Sequence, residues 1–352
     1  MTLVKTITEL SHEFGTDNYV KGGGGNTSCK DNETLWVKPS GTTLGALRPE
    51  TFVALDRAKI DKLYAIAPPE DKQAREALVK DVMSNALQPG ASGRASVEAP
   101  LHNFFSATYV VHTHPALVNG MTCAKDGKAA CERLFPNALW MDYIDAGYTL
   151  CMTARDMLKQ FKEDHSREPD VIFLKNHGVF VAGNSSEDIR AHYAHIMETL
   201  RAEYAKVGVS LDLDVAEKPD TAQAEALIQE LLGDDVATVQ ASGRFDVAAG
   251  PITPDHIVYS KSFPFTAELT AKNIAAFKAE HGYAPRVIVT ADAVFGGGAS
   301  EKVAELALVM ADDGARVQQL AEAFGGIEFM TDDAREFIEN WEVEAYRAKQ
   351  MQ

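Results

Sequence analysis

The sequence is poor in cysteine and in positive charge. Its four cysteines show no CxxC spacing, and nothing in their distribution indicates a disulfide framework. The 34 lysines and arginines are outnumbered by 51 aspartates and glutamates, which gives a net charge of −17. Because nucleic-acid binding needs a basic face, this charge argues against a nucleic-acid partner. The negative charge does not exclude a small anionic substrate, since backbone N–H groups can bind phosphate without side-chain charge.

Long hydrophobic runs are missing as well. No stretch approaches the roughly 20 apolar residues that a membrane helix requires, and the first residues are not followed by the apolar run of a signal peptide. We therefore expect a cytoplasmic protein with no membrane partner. The length of 352 residues is sufficient for two domains, or for one large domain with an appendage.

Four consecutive glycines, residues 22–25, precede the small polar residues Asn26, Thr27 and Ser28. The run lacks the Gly-Lys-Ser/Thr ending of a Walker A loop, and residues 35–37 favour a strand rather than the helix that such a loop would open. Glycines let the chain approach a ligand closely, so a ligand-binding loop is one interpretation and a tight hairpin turn is the other.

A second turn, residues 38–41, carries Ser40 beside Gly41. Together with the glycine run it would offer the N–H and O–H donors that an anion site needs. Two ordinary solvent turns have the same composition, so both interpretations stay open at this point.

A strand is predicted to end in two histidines. The β-branched and aromatic residues 108–111 lead into His112 and His114, and Pro115 ends the run. Residues two apart in a strand point to the same face, so both imidazoles would face one way and form half of a tetrahedral metal site. The alternative is two histidines on a polar face of the strand, or one that is buried and hydrogen-bonded.

Two further residues fit the same chemistry. Ser96 is predicted to be the N-cap of a helix with Glu98 in its first turn, and the chain then returns into the His112 strand. Three interpretations of Glu98 stay open: it stabilises the helix N-terminus, it acts as a general base, or it is a further metal ligand. His177 lies at a predicted strand-to-strand turn, where a side chain can be directed into a site.

The rest of the chain predicts two domains. A strand over 139–145 and a long helix over 186–207 belong to the first, and a linker is predicted over 212–220. Beyond the linker, helices alternate with strands, including strands near 236–247 and 256–260, which is typical of a smaller α/β domain.

One glycine run in the second domain invites comparison with a nucleotide-binding loop. Gly296, Gly297 and Gly298 follow a predicted strand and precede a predicted helix, but they lack GxGxxG spacing. We therefore interpret this run as structural. An oxidoreductase that used it would bind a nicotinamide nucleotide without added metal.

Taken together, the motifs of the first domain resemble the class II aldolase/adducin family of zinc-dependent sugar-phosphate aldolases. The matching segments occur in the family's order over about residues 1–205: Gly24-Gly25-Asn26-Thr27-Ser28, Lys38-Pro39-Ser40-Gly41, Ser96-Val97-Glu98 with His102, His112-Thr113-His114-Pro115 and Asn176-His177-Gly178. The C-terminal part resembles the tail of the aldolase portion of bifunctional rhamnulose-phosphate aldolase/short-chain dehydrogenase proteins. The dehydrogenase portion has no counterpart here, so we expect no nicotinamide cofactor.

The resemblance implies an α/β fold with a central, mainly antiparallel sheet flanked by helices. We expect a catalytic domain over 1–210 and a smaller C-terminal α/β domain over 221–352. Family members are usually tetramers with sites between subunits, so a homotetramer is expected.

The resemblance also implies roles for individual residues. Zn²⁺, or another divalent ion, would be bound by His112, His114 and His177. Glu98 would be the acid/base residue, and a tyrosine would act as a second acid, for which Tyr143 is our candidate and Tyr148 the alternative. The substrate phosphate would be bound by Asn26, Thr27, Ser40, Gly41 and Ser96.

The expected reaction is cleavage of a ketose 1-phosphate of the deoxy-sugar type into dihydroxyacetone phosphate and an aldehyde, through a metal-stabilised enediolate. Related members epimerise, dehydrate or decarboxylate sugar phosphates with the same ligands, so these reactions are alternatives. An adducin-like scaffold without catalysis is a further hypothesis, although it would not require the three histidines and Glu98.

Overall fold

The computed structural model describes residues 2–67, 69–145 and 147–341. The strands are β1 (Asn26–Lys30), β2 (Thr34–Val37), β3 (Val53–Asp56), β4 (Tyr109–Thr113), β5 (Leu139–Met141), β6 (Val171–Leu174), β7 (Gly178–Gly183), β8 (Thr238–Gly243), β9 (Val287–Val289) and β10 (Ala293–Gly298). The α-helices are α1 (Leu3–Glu13), α2 (Arg57–Asp61), α3 (Lys72–Asn85), α4 (Ala99–Phe104), α5 (Ala116–Thr122), α6 (Gly127–Leu134), α7 (Tyr148–His165), α8 (Ser186–Val207), α9 (Ala222–Leu232), α10 (Pro254–Ser260), α11 (Ala271–His281), α12 (Glu301–Ala321) and α13 (Asp332–Asn340).

The first of two compact units comprises Met1–Val118 and Lys128–Thr199. Its seven-stranded sheet has the order β3-β2-β1-β4-β7-β6-β5. All neighbouring strands are antiparallel except β5 and β6, which are parallel. The predicted central, mainly antiparallel sheet with flanking helices is therefore confirmed.

Apolar residues that alternate along the strands hold the helices to this sheet. One buried cluster joins β2 and β3 to α2 and α3 through Leu35, Leu55, Ile60 and Val79. Another joins β4, β6 and β7 to α4 and α7, and includes Val110, Ile172, Phe180, Leu101 and Leu158. Because burial of one such side chain contributes roughly 1.5–3 kcal/mol, these clusters fix the strand ends on which the site is built.

Strand β1 differs from the sequence-based expectation. We expected Asn26, Thr27 and Ser28 to extend the glycine loop, but they form an inner strand paired with both β2 and β4. Small polar residues have low intrinsic strand preference, and here backbone pairing on both sides outweighs it. Strand alternation directs Asn26 and Ser28 to the α4 side, while the Thr27 hydroxyl bonds to Ser11 of α1 at 2.7 Å.

The second compact unit comprises Asn119–Gly127 and Leu200–Gln352. It contains an antiparallel three-stranded sheet of order β8-β10-β9, which agrees with a smaller α/β fold. The unit boundary falls inside α8, before the linker that composition predicts. The boundaries 1–210 and 221–352 stay a prediction.

Two segments of the second unit test its sequence-based interpretation. The strand expected near 256–260 is wrong: these residues belong to α10, which begins at Pro254 after Thr253, because proline is suited to the first turn of a helix. The glycine run lies within β10 instead of forming a loop before α12. A Cβ at Gly296 would collide with the Ala304 carbonyl of α12, so this glycine serves close packing.

Within the described residues, no helix combines the length and apolarity needed to cross a membrane.

Candidate metal centre

The site begins at the end of β4, where His112 is fully buried. Phe180, its cross-strand partner on β7, stacks on the imidazole with ring centroids 3.9 Å apart. His112 Nδ1 lies 3.0 Å from the Val179 carbonyl, which can only accept, so Nδ1 carries the proton. This contact leaves the lone pair of Nε2 directed into the site, the arrangement typical of a metal-binding histidine.

His114 and His177 bring their imidazoles to the same place. One ring nitrogen from each of the three histidines lies within 4.8 Å of the others, and Nε2 of His114 is 2.9 Å from Nε2 of His112. His177 follows Asn176, whose left-handed φ of 51° forms the tight turn between β6 and β7. The structure therefore brings all three predicted ligands together.

Gly178 makes this approach sterically possible. A Cβ at this position would collide with the Thr113 carbonyl and would lie 2.7 Å from His114 Cδ2. The glycine after His177 thus allows the end of β4 to lie directly against the start of β7.

The chemistry of these donors fits a divalent metal ion. Burial lowers the pKa of His112 well below its usual value, which keeps the imidazole neutral and able to bind a metal. Three imidazole nitrogens are a common catalytic zinc set, in which a further coordination position serves water or substrate.

Glu98 stands beside the histidines. Its Oε2 accepts a 2.5 Å hydrogen bond from Asn26 Nδ2 and lies 3.6 Å from His112 Nε2. Its Oε1 lies 3.8 Å from His177 Nε2 and is buried without a hydrogen-bond partner among the described residues. A buried carboxylate oxygen without a hydrogen bond, next to the His177 imidazole, is what a site for a cation or a transferred proton requires.

The charge state of Glu98 follows from its surroundings. Burial would raise its pKa, but the Asn26 hydrogen bond and positive charge at the histidine cluster, which a bound cation would supply while the imidazoles stay neutral, outweigh burial and lower the pKa. The carboxylate is ionised and has the form of a base.

The cap expected at Ser96 is wrong. Glu98 occupies the N-cap position of α4, which begins at Ala99, and its side chain makes no capping hydrogen bond. Ser96 instead accepts a 3.3 Å bond from the Glu98 N–H and precedes a turn closed by the Ala99 N–H. The turn directs the Glu98 carboxylate to Asn26 and the histidines instead of the helix end.

The structure brings only part of the predicted phosphate site together. The Ser40 N–H donates to the Arg94 carbonyl at 2.8 Å, and the Ser96 N–H donates to the Lys38 carbonyl at 3.2 Å, so these two turns pair. Gly41, with φ of 82°, follows Ser40 in this paired segment.

Asn26 and Thr27 direct their side chains to different partners, and their role in phosphate binding stays a prediction. The Asn26 amide contacts Glu98 and His102. Thr27 is fully buried, and its hydroxyl bonds to Ser11 on the other face of the sheet. We predicted a loop at both residues, but they belong to strand β1, where their side chains point to opposite faces of the sheet.

The two candidate tyrosines lie close in sequence but differ in surroundings. Tyr143 follows β5 and is half-buried, and its role as the second acid stays a prediction. Tyr148 opens α7 and belongs to the apolar cluster of β2 and β3. Its hydroxyl is buried without a hydrogen-bond partner among the described residues.

Sequence reasoning missed a buried polar group behind Glu98, made of Ser28, Lys30 and His102. His102 entered only as part of a motif, and Ser28 and Lys30 were given no role. Two features of the sequence could have indicated this group. Polar residues stand two apart at positions 26, 28 and 30, and the four-residue spacing from Glu98 to His102 places both on one helix face.

Comparison with known proteins gives the following similarities. The family model described as "Class II Aldolase and Adducin N-terminal domain" matches residues 5–204. The uncharacterized oxidoreductase YuxG of Bacillus subtilis is 30% identical over 201 residues, which cover 53% of this chain and 27% of that protein. The chain therefore matches about a quarter of the length of this relative.

An L-fuculose phosphate aldolase of Methanocaldococcus jannaschii is 25% identical over 203 residues, covering 58% of this chain and 93% of that protein. Among solved structures, the N-terminal class II aldolase domain of a conserved protein from Thermoplasma acidophilum has a TM-score of 0.49 and 21% identity. It covers 56% of this chain and 92% of that chain.

Proposed function

The chain belongs to the class II aldolase and adducin family, and from this premise we propose that it is a zinc-dependent aldolase. Its proposed substrate is a ketose 1-phosphate of the deoxy-sugar type, which it cleaves to dihydroxyacetone phosphate and an aldehyde. One observation carries the proposal: the three histidines lie within 4.8 Å of one another, and the ionised Glu98 lies against two of them.

The residues would divide the chemistry between them. A divalent ion held by His112, His114 and His177 supplies Lewis-acid stabilisation of the negative charge that develops on substrate oxygens. In the condensation direction, the Glu98 carboxylate takes a proton from the hydroxymethyl carbon of dihydroxyacetone phosphate, and in cleavage it returns that proton. The depressed pKa keeps Glu98 ionised, which is the form in which it can accept a proton.

The proposal also includes the residues that bind the substrate phosphate and the residue that acts as the second acid. Ser40, Gly41 and Ser96 would bind the substrate phosphate, supported by the backbone pairing of their two turns. Tyr143 would donate a proton to the aldehyde oxygen in condensation and take it back in cleavage, and we propose that it does so across a subunit boundary in a cytoplasmic homotetramer.

The test is product release from a panel of ketose 1-phosphates, followed by detection of dihydroxyacetone phosphate. We expect zinc-loaded protein to release it from at least one member, and the His112→Ala/His114→Ala double variant to release none. Turnover of a sugar phosphate to an epimer, a dehydrated product or carbon dioxide would replace the aldolase by a related reaction. Absence of any turnover together with absence of metal uptake would favour a scaffold.

A further inference from the structure

A chain of buried hydrogen bonds runs from β1 through α4 to Glu98. We infer that His102 is a positioning residue, which orients the Asn26 amide so that this amide holds one oxygen of Glu98 and leaves the other for proton transfer. The inference rests on the proposed function, since it concerns the acid/base residue of that reaction.

The direction of each hydrogen bond in the chain follows from the group at its end. The Asn26 NH₂ group donates to Glu98 Oε2 at 2.5 Å. The other end of the Asn26 amide is then its carbonyl oxygen, which contacts His102 Nε2. Because this oxygen can only accept, His102 Nε2 must carry the proton.

The other ring nitrogen of His102 closes the chain. Burial lowers the pKa of His102 to about 3, so the ring is neutral and holds one proton. With that proton on Nε2, Nδ1 accepts from the Ser28 hydroxyl at 2.7 Å. In each hydrogen bond of the chain Ser28–His102–Asn26–Glu98, the donor and the acceptor are therefore fixed. Rotation of the Asn26 amide by half a turn would exchange its oxygen and nitrogen and break two of these bonds at once.

The backbone around the chain is rigid. Asn26 and Ser28 lie two residues apart on β1 and share one face of the sheet. The His102 N–H donates to the Glu98 carbonyl at 3.0 Å, and the buried Nζ of Lys30 donates to the His102 carbonyl at 3.0 Å. The ring of Phe180, which stacks on His112, also meets His102 edge to face with centroids 5.4 Å apart.

This geometry makes the two oxygens of Glu98 unequal. Oε2 is held by Asn26, whereas Oε1 has no hydrogen bond among the described residues and faces His177 at 3.8 Å. Oε1 is therefore the oxygen that exchanges the proton with substrate. Without His102, the Asn26 amide loses the contact that fixes its orientation, and Glu98 loses its fixed position.

A pair of isosteric variants separates this role from a structural one. The side-chain nitrogen of glutamine in His102→Gln lies at the position of Nε2 and keeps the donor to Asn26, whereas asparagine in His102→Asn reaches only as far as Nδ1 and loses that donor. We expect kcat for His102→Asn to fall roughly 10- to 100-fold, the range typical of groups that orient active residues. KM and zinc content should not change, and His102→Gln should keep most of the activity.

Two outcomes would overturn the inference. The first is equal activity of His102→Asn and His102→Gln, and the second is a loss of zinc that accounts for the loss of activity in His102→Asn.

A spectroscopic measurement on the unmodified holoprotein tests the chain without substrate. In protein labelled with ¹⁵N-histidine, we expect His102 to show a protonated Nε2 and an unprotonated Nδ1, assigned with Ser28→Ala and His102→Gln. A protonated Nδ1 would overturn the inference even if the variants fail to fold. Because this readout does not depend on turnover, the expected tautomer in a protein without aldolase activity would contradict only the proposed function.

Discussion

Asn26 on β1 lies directly opposite His112 on β4. Because residues opposite each other in a sheet point to the same face, one strand register places both His112 of the histidine cluster and the amide that holds Glu98. A shift of the β1–β4 register by one residue would place Thr27 at the position of Asn26, and the shorter threonine side chain would not reach Glu98. The proposed metal site and the proposed acid/base residue are therefore positioned by the same pairing of strands.

Replacement of Glu98 tests its role as the base. We expect Glu98→Gln to keep zinc, because the three histidines are unchanged, and to lose roughly 10²- to 10⁴-fold in kcat, the range that a positioned proton-transfer group contributes. Steady-state kinetics with metal analysis of the same sample checks this. Activity within a few fold of the wild type would remove Glu98 from the chemistry.

Gly178→Ala tests whether the close approach of β4 and β7 builds the metal site. The added methyl would meet the Thr113 carbonyl and the His114 ring, so zinc affinity should fall at least tenfold and the overpacked variant should lose about 1–3 kcal/mol of unfolding free energy. Gly45→Ala is the matched control, since the nearest atom to its Cβ is the Gly15 carbonyl oxygen at 3.6 Å. Zinc titration and urea unfolding measure both effects, and equal zinc affinity in the two variants would refute the role of Gly178.

The two tyrosines make a matched pair. Tyr143→Phe should lower kcat at least tenfold with zinc retained, if Tyr143 exchanges a proton with the aldehyde oxygen. Tyr148→Phe should keep activity and be as stable as the wild type or more so, because it removes a buried hydroxyl without a partner among the described residues. A loss of kcat in Tyr148→Phe alone would transfer the acid role to that residue.

Lys30 makes the stability of the protein depend on pH. Burial, helped by the charge of Arg57, lowers the pKa of Lys30 to about 7, against 10.5 for an ordinary lysine. Between these two values the unfolded chain binds a proton that the folded protein has released, so the unfolding free energy should rise as pH increases from 7 toward 10.5.

Lys30→Met removes this group and is the comparison for the pH effect. We expect the difference in unfolding free energy between wild type and variant to shift in favour of the wild type as pH rises from 7 to 9, by about 1–3 kcal/mol. Urea unfolding at both values measures it. A difference that does not change with pH would mean that Lys30 keeps an ordinary pKa.

Much of the candidate metal site could be predicted from the sequence, because its determinants are local. His112 and His114 belong to one strand with strong β-preference, and His177 belongs to a turn between two strands. The direction of Thr27 and the partner of Asn26 could not be predicted. Both depend on β1 lying between β2 and β4, a pairing of distant segments that the polar residues of β1 do not indicate.

Two sequence-based predictions of secondary structure were wrong for similar reasons. Ser96 is a favoured N-cap residue, but the helix begins later because the Glu98 carboxylate is held by Asn26, a tertiary contact that local preference does not contain. The short apolar run before Ser260 suits a strand or a helix equally, and Pro254 with its packed surroundings decides for the helix.

Metal analysis of the purified protein tests the proposal that His112, His114 and His177 bind one catalytic metal ion. The matched variants are His177→Ala, which removes one ligand, and His195→Ala, which removes an exposed histidine of α8. From this proposal we expect zinc or a similar divalent ion equimolar with the chain in the wild type and His195→Ala, and strong depletion in His177→Ala. A wild type that is purified without metal and takes up no added divalent ion would contradict it.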